Sequence, residues 1–145
     1  MNKLRASCAV VLLALAGIAG AQELPYTEGP VTVVTSVKIM DGQFDNYMEY
    51  LRSTYKPVME AQKKAGNVVG YGIYDASPRN PGDADMYLVV SYPNMASFDG
   101  QRERSESVAK TVTGQNRDEA TKASVGRGKM REILGSQMLR ELVLK

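Results

Sequence analysis

Tyrosine is the residue type in this chain whose number and spacing best suit a binding site. The chain has eight tyrosines and no histidine among 145 residues. Five of the tyrosines fall on two neighbouring predicted elements, where they could line a pocket for a small apolar or aromatic molecule. An arginine on the same helix could hold a ligand carboxylate. The candidate ligand-binding residues are Tyr47, Tyr50, Tyr55, Tyr71, Tyr74 and Arg52.

The same residues have an ordinary structural interpretation. Tyrosine is commonly half buried, so the rings could be core and rim packing. Arg52 and Lys56, one helical turn apart, could form a solvated flank. Gly70 and Gly72 would clear space beside the rings, which favours the pocket. Both interpretations stay open at this stage.

Several chemistries are excluded by composition. Without histidine there is no Ser-His-Asp or Cys-His relay, no histidine-ligated haem and no zinc site of the usual histidine-containing kinds. The stretch 126–131, GRGKMR, lacks the residue order of a phosphate-binding loop. Asp75, Asp83 and Asp85 lack the spacing of a calcium loop. We therefore predict no metal and no cofactor.

The first 21 residues have the layout of a secretory signal peptide. Lys3 and Arg5 precede an apolar run of about ten residues, too short to span a bilayer, and small residues stand before Gln22. We expect a periplasmic or secreted product with no stable membrane anchor after cleavage. Cleavage would remove Cys8, the only thiol, and the two basic residues behind the net charge of +2. A neutral mature chain argues against nucleic acid as a partner.

The elements that position these residues follow from hydrophobic periodicity. Residues 22–30 predict an extended N-terminal arm, and 31–40 a strand of high β-branched content. An amphipathic helix follows from Asp41 to about Gly66, kinked or divided at Pro57. Strands are predicted over 68–75 and 86–92, joined by a loop over 76–84 that is rich in turn formers.

The C-terminal half predicts two more helices and a last strand. The first helix runs from Met95 to about Val112, and the second opens at Asn116, with Glu119 in capping-box spacing, and continues to Gly135. Residues 138–145 are β-compatible. The order β-α-β-β-α-β predicts a ferredoxin-like α+β domain over 31–145. It would have a four-stranded antiparallel sheet with helices on one face and a second helical region broken in two.

At this level the chain resembles the dimeric α/β-barrel superfamily, which includes stress-responsive A/B barrel, NIPSNAP-type and antibiotic-biosynthesis monooxygenase proteins. The resemblance rests on element order over 31–145, on KPVMEAQKKAG closing the first helix and on a strand at the C-terminus. The chain is also similar to small exported bacterial proteins that share YTEGPV, YPNM and RELVLK. The resemblance implies a homodimer in which two sheets face each other. Strand 31–40 carries apolar residues on both faces, which agrees with such a partner.

Two classes of function remain. The first is an exported dimer that binds a small apolar or aromatic molecule or has a stress-related interaction role. The second, which the resemblance permits, is a cofactor-independent monooxygenase or isomerase acting on a small aromatic or acidic substrate. The missing histidine weakens the second, because the commonest general base at neutral pH is absent. An exported inhibitor or chaperone-like partner of a protease is a third possibility.

Overall fold

The computed structural model describes residues 23–145. The predicted signal peptide over 1–21 lies outside the described residues. Within 23–145, no helix combines the length and apolar character that crossing a membrane requires.

Four antiparallel strands form one sheet. They are β1 (Tyr26–Ile39), β2 (Gly70–Asp75), β3 (Met86–Tyr92) and β4 (Arg131–Leu144), in the spatial order β2-β3-β1-β4. This is the strand order of the ferredoxin-like fold, with the two long strands adjacent, so the predicted fold class is confirmed. The predicted third strand, 86–92, matches β3 at both ends.

The first helical region is continuous but changes its winding. It consists of α1 (Phe44–Tyr50), a π-helical segment (Leu51–Tyr55) and α2 (Lys56–Lys64). Pro57 lies in the first turn of α2. Because proline has no backbone N–H, it cannot donate the hydrogen bond that a continuous α-helix would have at this position. The wider turn immediately before Pro57 lets the chain continue without ending the helix. The predicted division at Pro57 is therefore a local change of winding.

The second helical region is broken, as predicted. A 3₁₀ turn (Met95–Phe98) precedes α3 (Gln101–Thr113), and α4 (Arg117–Gly126) leads into a second 3₁₀ turn (Arg127–Lys129). Gly114 ends α3 with φ of +70°, a left-handed conformation that favours glycine. The predicted capping box is present: Asn116 Oδ1 accepts from the N–H of Glu119 at 3.0 Å, and Glu119 Oε2 accepts from the N–H of Asn116 at 2.8 Å.

Two predicted boundaries are wrong. β1 begins at Tyr26, so most of the predicted arm over 22–30 belongs to the sheet, where Tyr26 pairs with Leu144 of β4. β4 begins at Arg131 instead of 138, so Ile133 and Leu134 are strand residues and not part of a helix. Gly126 and Gly128 have poor helix propensity, and pairing with the 14-residue β1 outweighs the weak helical pattern there.

The sheet has two different faces. The helix face packs on α1, where Val37, Tyr47, Leu51 and Met86 form the buried core. Residues of the opposite face, here called the open face, alternate along the strands with residues of the helix face. Its members are Thr32, Val34, Ser36, Tyr74, Tyr87, Val89, Ser91, Gln137 and Leu139. The open face is therefore mixed, and on β1 it is less apolar than predicted.

Candidate functional site

A cavity of about 310 Å³ lies between the helix face of the sheet and helices α2 and α3. We call it the sheet–helix cavity. Strand alternation on β1 and β3 and the helical spacing of α2 point their apolar side chains into the same space. The apolar lining consists of Val33, Val58, Met59, Val68, Leu88 and Val90. None of the residues that line the cavity is charged.

The polar part of the lining is small and mostly engaged. Gln62, only 5% exposed, donates from Nε2 to the carbonyl of Ser105 at 3.0 Å and accepts from Asn67 Nδ2 at 2.7 Å. The hydroxyl of Tyr92 accepts from Gln101 Nε2 at 2.9 Å. These bonds tie α2 to α3 and β3 to α3, so they fix the shape of the cavity.

Tyr55 brings a phenol to this lining, and no hydrogen bond is among the causes of its pKa shift. Burial, followed by the neighbouring tyrosines, raises the pKa of its phenol well above the usual range. The phenol is therefore neutral at ordinary pH and can donate one hydrogen bond into the cavity.

Tyr71 stands beside Tyr55. The two rings meet edge to face, with centroids 6.0 Å apart and planes at 81°. The Tyr71 hydroxyl donates to Glu60 Oε1 at 2.7 Å, and this bond raises the pKa of the Tyr71 phenol. Tyr71 thus supports the ring of Tyr55 while its own hydroxyl is committed to Glu60.

The remaining predicted site residues lie elsewhere. Tyr47 is buried in the core and stacks on Tyr50 at 5.8 Å between centroids. Tyr74 lies on the open face, because strand alternation turns it away from Tyr71, and its ring covers Gly72. Arg52 is exposed and pairs with Glu49, with Nη2 2.7 Å from Oε1. The predicted grouping of Tyr74 and Arg52 with the other candidates does not hold.

Of the residues that line the cavity, only Tyr55 was among the predicted site residues; Tyr92 and Gln62, whose hydrogen bonds shape it, were not. Tyr92 lies two residues beyond Val90 on β3, so strand alternation alone places it on the helix face. Gln62 follows Met59 at helical spacing and faces inward with it. Following the two-residue alternation of side chains to the end of β3 would have placed Tyr92 on the helix face. Gln62 gave no such signal, because its type is usually exposed.

The aspartates of the β2–β3 loop are occupied by structural contacts. The carboxylate of Asp83 accepts from the backbone N–H groups of Arg79 and Asn80 at 3.1 and 2.9 Å. Asp85 pairs with Lys38. Within the described part of the chain, no three potential metal-ligating carboxylates or cysteines converge.

The lining favours binding over proton-transfer chemistry. A neutral phenol whose pKa is raised is a hydrogen-bond donor and a poor base at neutral pH. No carboxylate, amine or guanidinium lines the cavity to assist it. The arrangement can enclose an apolar molecule and orient it through one polar group.

Comparison with known proteins establishes the fold. No protein-family model and no curated protein sequence matches the chain. HapK from Hahella chejuensis superposes with a TM-score of 0.51 at 15% identity, over 77% of this chain and 91% of its own. A dimeric ferredoxin-like protein from an uncultured marine organism superposes with a TM-score of 0.50 at 15% identity, over 82% and 98%. These matches confirm the ferredoxin-like fold of the chain.

Proposed function

We propose that the protein is an exported homodimer that binds a small, neutral, apolar or aromatic molecule in the sheet–helix cavity. The observation that carries this proposal is the cavity itself: an uncharged, mostly apolar lining that includes the neutral phenol of Tyr55. Such a site recognises a ligand by burial of its apolar surface and selects its orientation with one hydrogen bond.

The size of the cavity limits the ligand. A dry, apolar cavity of about 150 Å³ holds benzene. A volume of about 310 Å³ therefore suits a molecule of one or two rings, or an aliphatic molecule of similar bulk. A charged ligand is disfavoured, because no lining residue would compensate a buried charge.

The homodimer is supported by the edge of the sheet. β4 is an edge strand of 14 residues that pairs only with β1, and its side chains are exposed on both faces. Ile133, Leu134, Met138 and Leu139 are each more than 40% exposed. Of these, Leu139 lies on the open face, whereas Ile133 and Met138 lie on the helix face, opposite Val37 and Val33. A long apolar edge is a hazard for aggregation unless another surface covers it. The similar marine protein, which is described as dimeric, supports the same assembly.

The open face is suited to being covered. Its hydroxyls pair within the sheet, as with Thr32 Oγ1 and Ser91 Oγ at 3.0 Å. Buried hydroxyls that bond each other leave fewer groups without a partner. Val34, Val89 and Leu139 supply apolar surface between them. We therefore propose that two open faces meet in the dimer, and that export follows from the signal-like segment over 1–21.

Binding of 2-naphthol, a two-ring molecule with one hydroxyl, tests the ligand site. Val33 and Val34 are neighbours on β1 that point to opposite faces, which gives a matched pair of variants. Val33→Phe fills part of the cavity and should abolish saturable binding measured by fluorescence. Val34→Phe should leave binding intact. Equal binding by both variants and the wild type would overturn the proposed cavity, and conversion of the bound probe to product would favour the enzymatic alternative.

A further inference from the structure

A second set of residues, away from the lining of the sheet–helix cavity, lies where β4 begins. Arg127, in the last 3₁₀ turn, places its Cζ 4.7 Å from the ring centroid of Tyr50. Arg131, the first residue of β4, places its Cζ 6.0 Å from the ring centroid of Tyr47. The two tyrosines stack on each other at 5.8 Å. We call these four residues the arginine corner.

Neither guanidinium in the arginine corner has an acidic partner within 23–145, and the Nε–H groups of Arg127 and Arg131 are buried and donate to no acceptor. The six ion pairs found within 23–145 involve neither arginine. An unsatisfied buried donor is costly, and more so when the group is charged. Such a group in a native structure calls for an explanation.

The tyrosines do not neutralise this charge. Burial raises the pKa of the Tyr47 phenol, and the nearby guanidiniums of Arg131 and Arg127 oppose that rise without cancelling it. Tyr47 is therefore uncharged at pH 7. The Tyr47 hydroxyl accepts from Arg131, which helps to oppose the rise in its pKa, whereas the cation–π contacts stabilise the guanidinium planes and offer no further acceptor for their N–H groups. Two positive charges that act on the same phenol consequently remain without a counter-charge in the described part of the chain.

The site is open to a solute. Arg127 and Arg131 are each half-buried, and because their Nε atoms are shielded, a solute would reach the guanidiniums through their terminal amino groups. Lys129, between them in sequence, is exposed and adds a third positive charge to the segment. A guanidinium presents a planar fork of donors that matches the oxygens of phosphate or carboxylate.

We propose that the arginine corner binds a phosphate group. Two uncompensated guanidinium charges match a phosphate, whose charge at neutral pH is between about −1 and −2, better than the single charge of a carboxylate. The ring pair holds both guanidiniums on its surface, so part of their rotamer freedom is lost before the ligand arrives. The site requires neither the sheet–helix cavity nor the dimer, and it would survive the failure of either proposal.

The direct test is NMR of the arginine Nε–Hε groups of the full mature protein titrated with inorganic phosphate at constant ionic strength. The signals of Arg127 and Arg131 should shift together and saturate. Arg131→Gln and Arg127→Gln should each raise the apparent Kd at least about tenfold. Arg117→Gln, which removes an exposed arginine already paired with Glu106, should change it less than twofold.

Two further arms complete the test. If the glutamine variants fail to fold, Arg127→Lys and Arg131→Lys keep the charge, and a loss of phosphate affinity in them supports the proposal through loss of the planar fork. Phenyl phosphate binding would point to an organic phosphomonoester, and binding of inorganic phosphate alone to the free ion. Absence of a saturable shift, an equal loss in Arg117→Gln, or acetate binding as tightly as phosphate would overturn the assignment.

Discussion

The carboxylate of Asp85 accepts a hydrogen bond from the backbone N–H of Ile39 at 2.7 Å. The other carboxylate oxygen lies 3.0 Å from Lys38 Nζ. Asp85 thereby ties the start of β3 to the end of β1, next to the buried Val37 and Met86. This one side chain fixes where the chain leaves the sheet toward α1.

The first prediction concerns the pH dependence that Asp85 contributes. Burial tends to raise the pKa of this carboxyl, but the hydrogen bond from Ile39 and the ammonium of Lys38 outweigh it, so the pKa is lowered. A lowered carboxyl pKa stabilises the folded state above the ordinary value near 4, and that stability is lost as pH falls through the folded pKa. Asp85→Asn should cost about 1 kcal/mol at pH 7 and weaken the fall in stability between pH 5 and 2.

Urea unfolding at a series of pH values measures this effect, since urea adds no charge. Parallel stability curves for the wild type and Asp85→Asn would contradict the role given to this carboxylate.

The second prediction concerns the hydroxyl of Tyr55. Tyr55→Phe keeps the ring contact with Tyr71 but removes the phenolic donor from the sheet–helix cavity. We expect 2-naphthol to bind about 2- to 10-fold more weakly, the worth of one hydrogen bond. Tyr74→Phe makes the same chemical change on the open face and should not alter binding. An unchanged affinity in Tyr55→Phe would show that the phenol does not contribute to binding.

The third prediction concerns Gln62. Its side chain bridges the carbonyl of Ser105 on α3 and the amide of Asn67, and it is almost fully buried. Gln62→Ala leaves these groups unpaired and should lower the free energy of unfolding by about 1–3 kcal/mol. Gln115→Ala, at an exposed position after α3, should change it by less than about 0.5 kcal/mol. Similar losses in the two variants, measured by urea unfolding, would show that the bridge adds nothing.

The fourth prediction concerns the dimer. Leu139 is 45% exposed on the open face of β4, and Val125 is 75% exposed on α4. Leu139→Lys places a charge in the proposed interface and should raise the dimer dissociation constant at least about tenfold. Val125→Lys adds the same charge outside it and should have no effect. Analytical ultracentrifugation distinguishes these results, and dissociation caused only by Val125→Lys would move the interface to α4.

The parts of the fold that depend on strong periodicity were predictable from the sequence. The composition of residues 86–92 predicted both ends of β3 correctly. The spacing of Asn116 and Glu119 predicted the start of α4. The start of β4 was not predictable in the same way. Ile133 and Leu134 fit a helical stripe as well as a strand, and only pairing with β1 decides between them.

The candidate site was predictable in part. Tyr55 and Tyr71 come together as expected, because they lie on the facing sides of the first helical region and β2. Strand alternation alone would have placed Tyr74 on the opposite face of β2 from Tyr71. The arginine corner was hidden, because the segment 126–131 looked helical and its contacts with Tyr47 and Tyr50 exist only after the chain turns into β4.

The central claim is that a dimer carries a small apolar or aromatic molecule in each sheet–helix cavity. Native mass spectrometry of the protein purified from the cells that produce it measures both properties at once. We expect twice the mass of the mature chain plus a retained small molecule that is lost on denaturation and absent from the Val33→Phe variant. A ligand-free monomer at micromolar concentration would contradict the account.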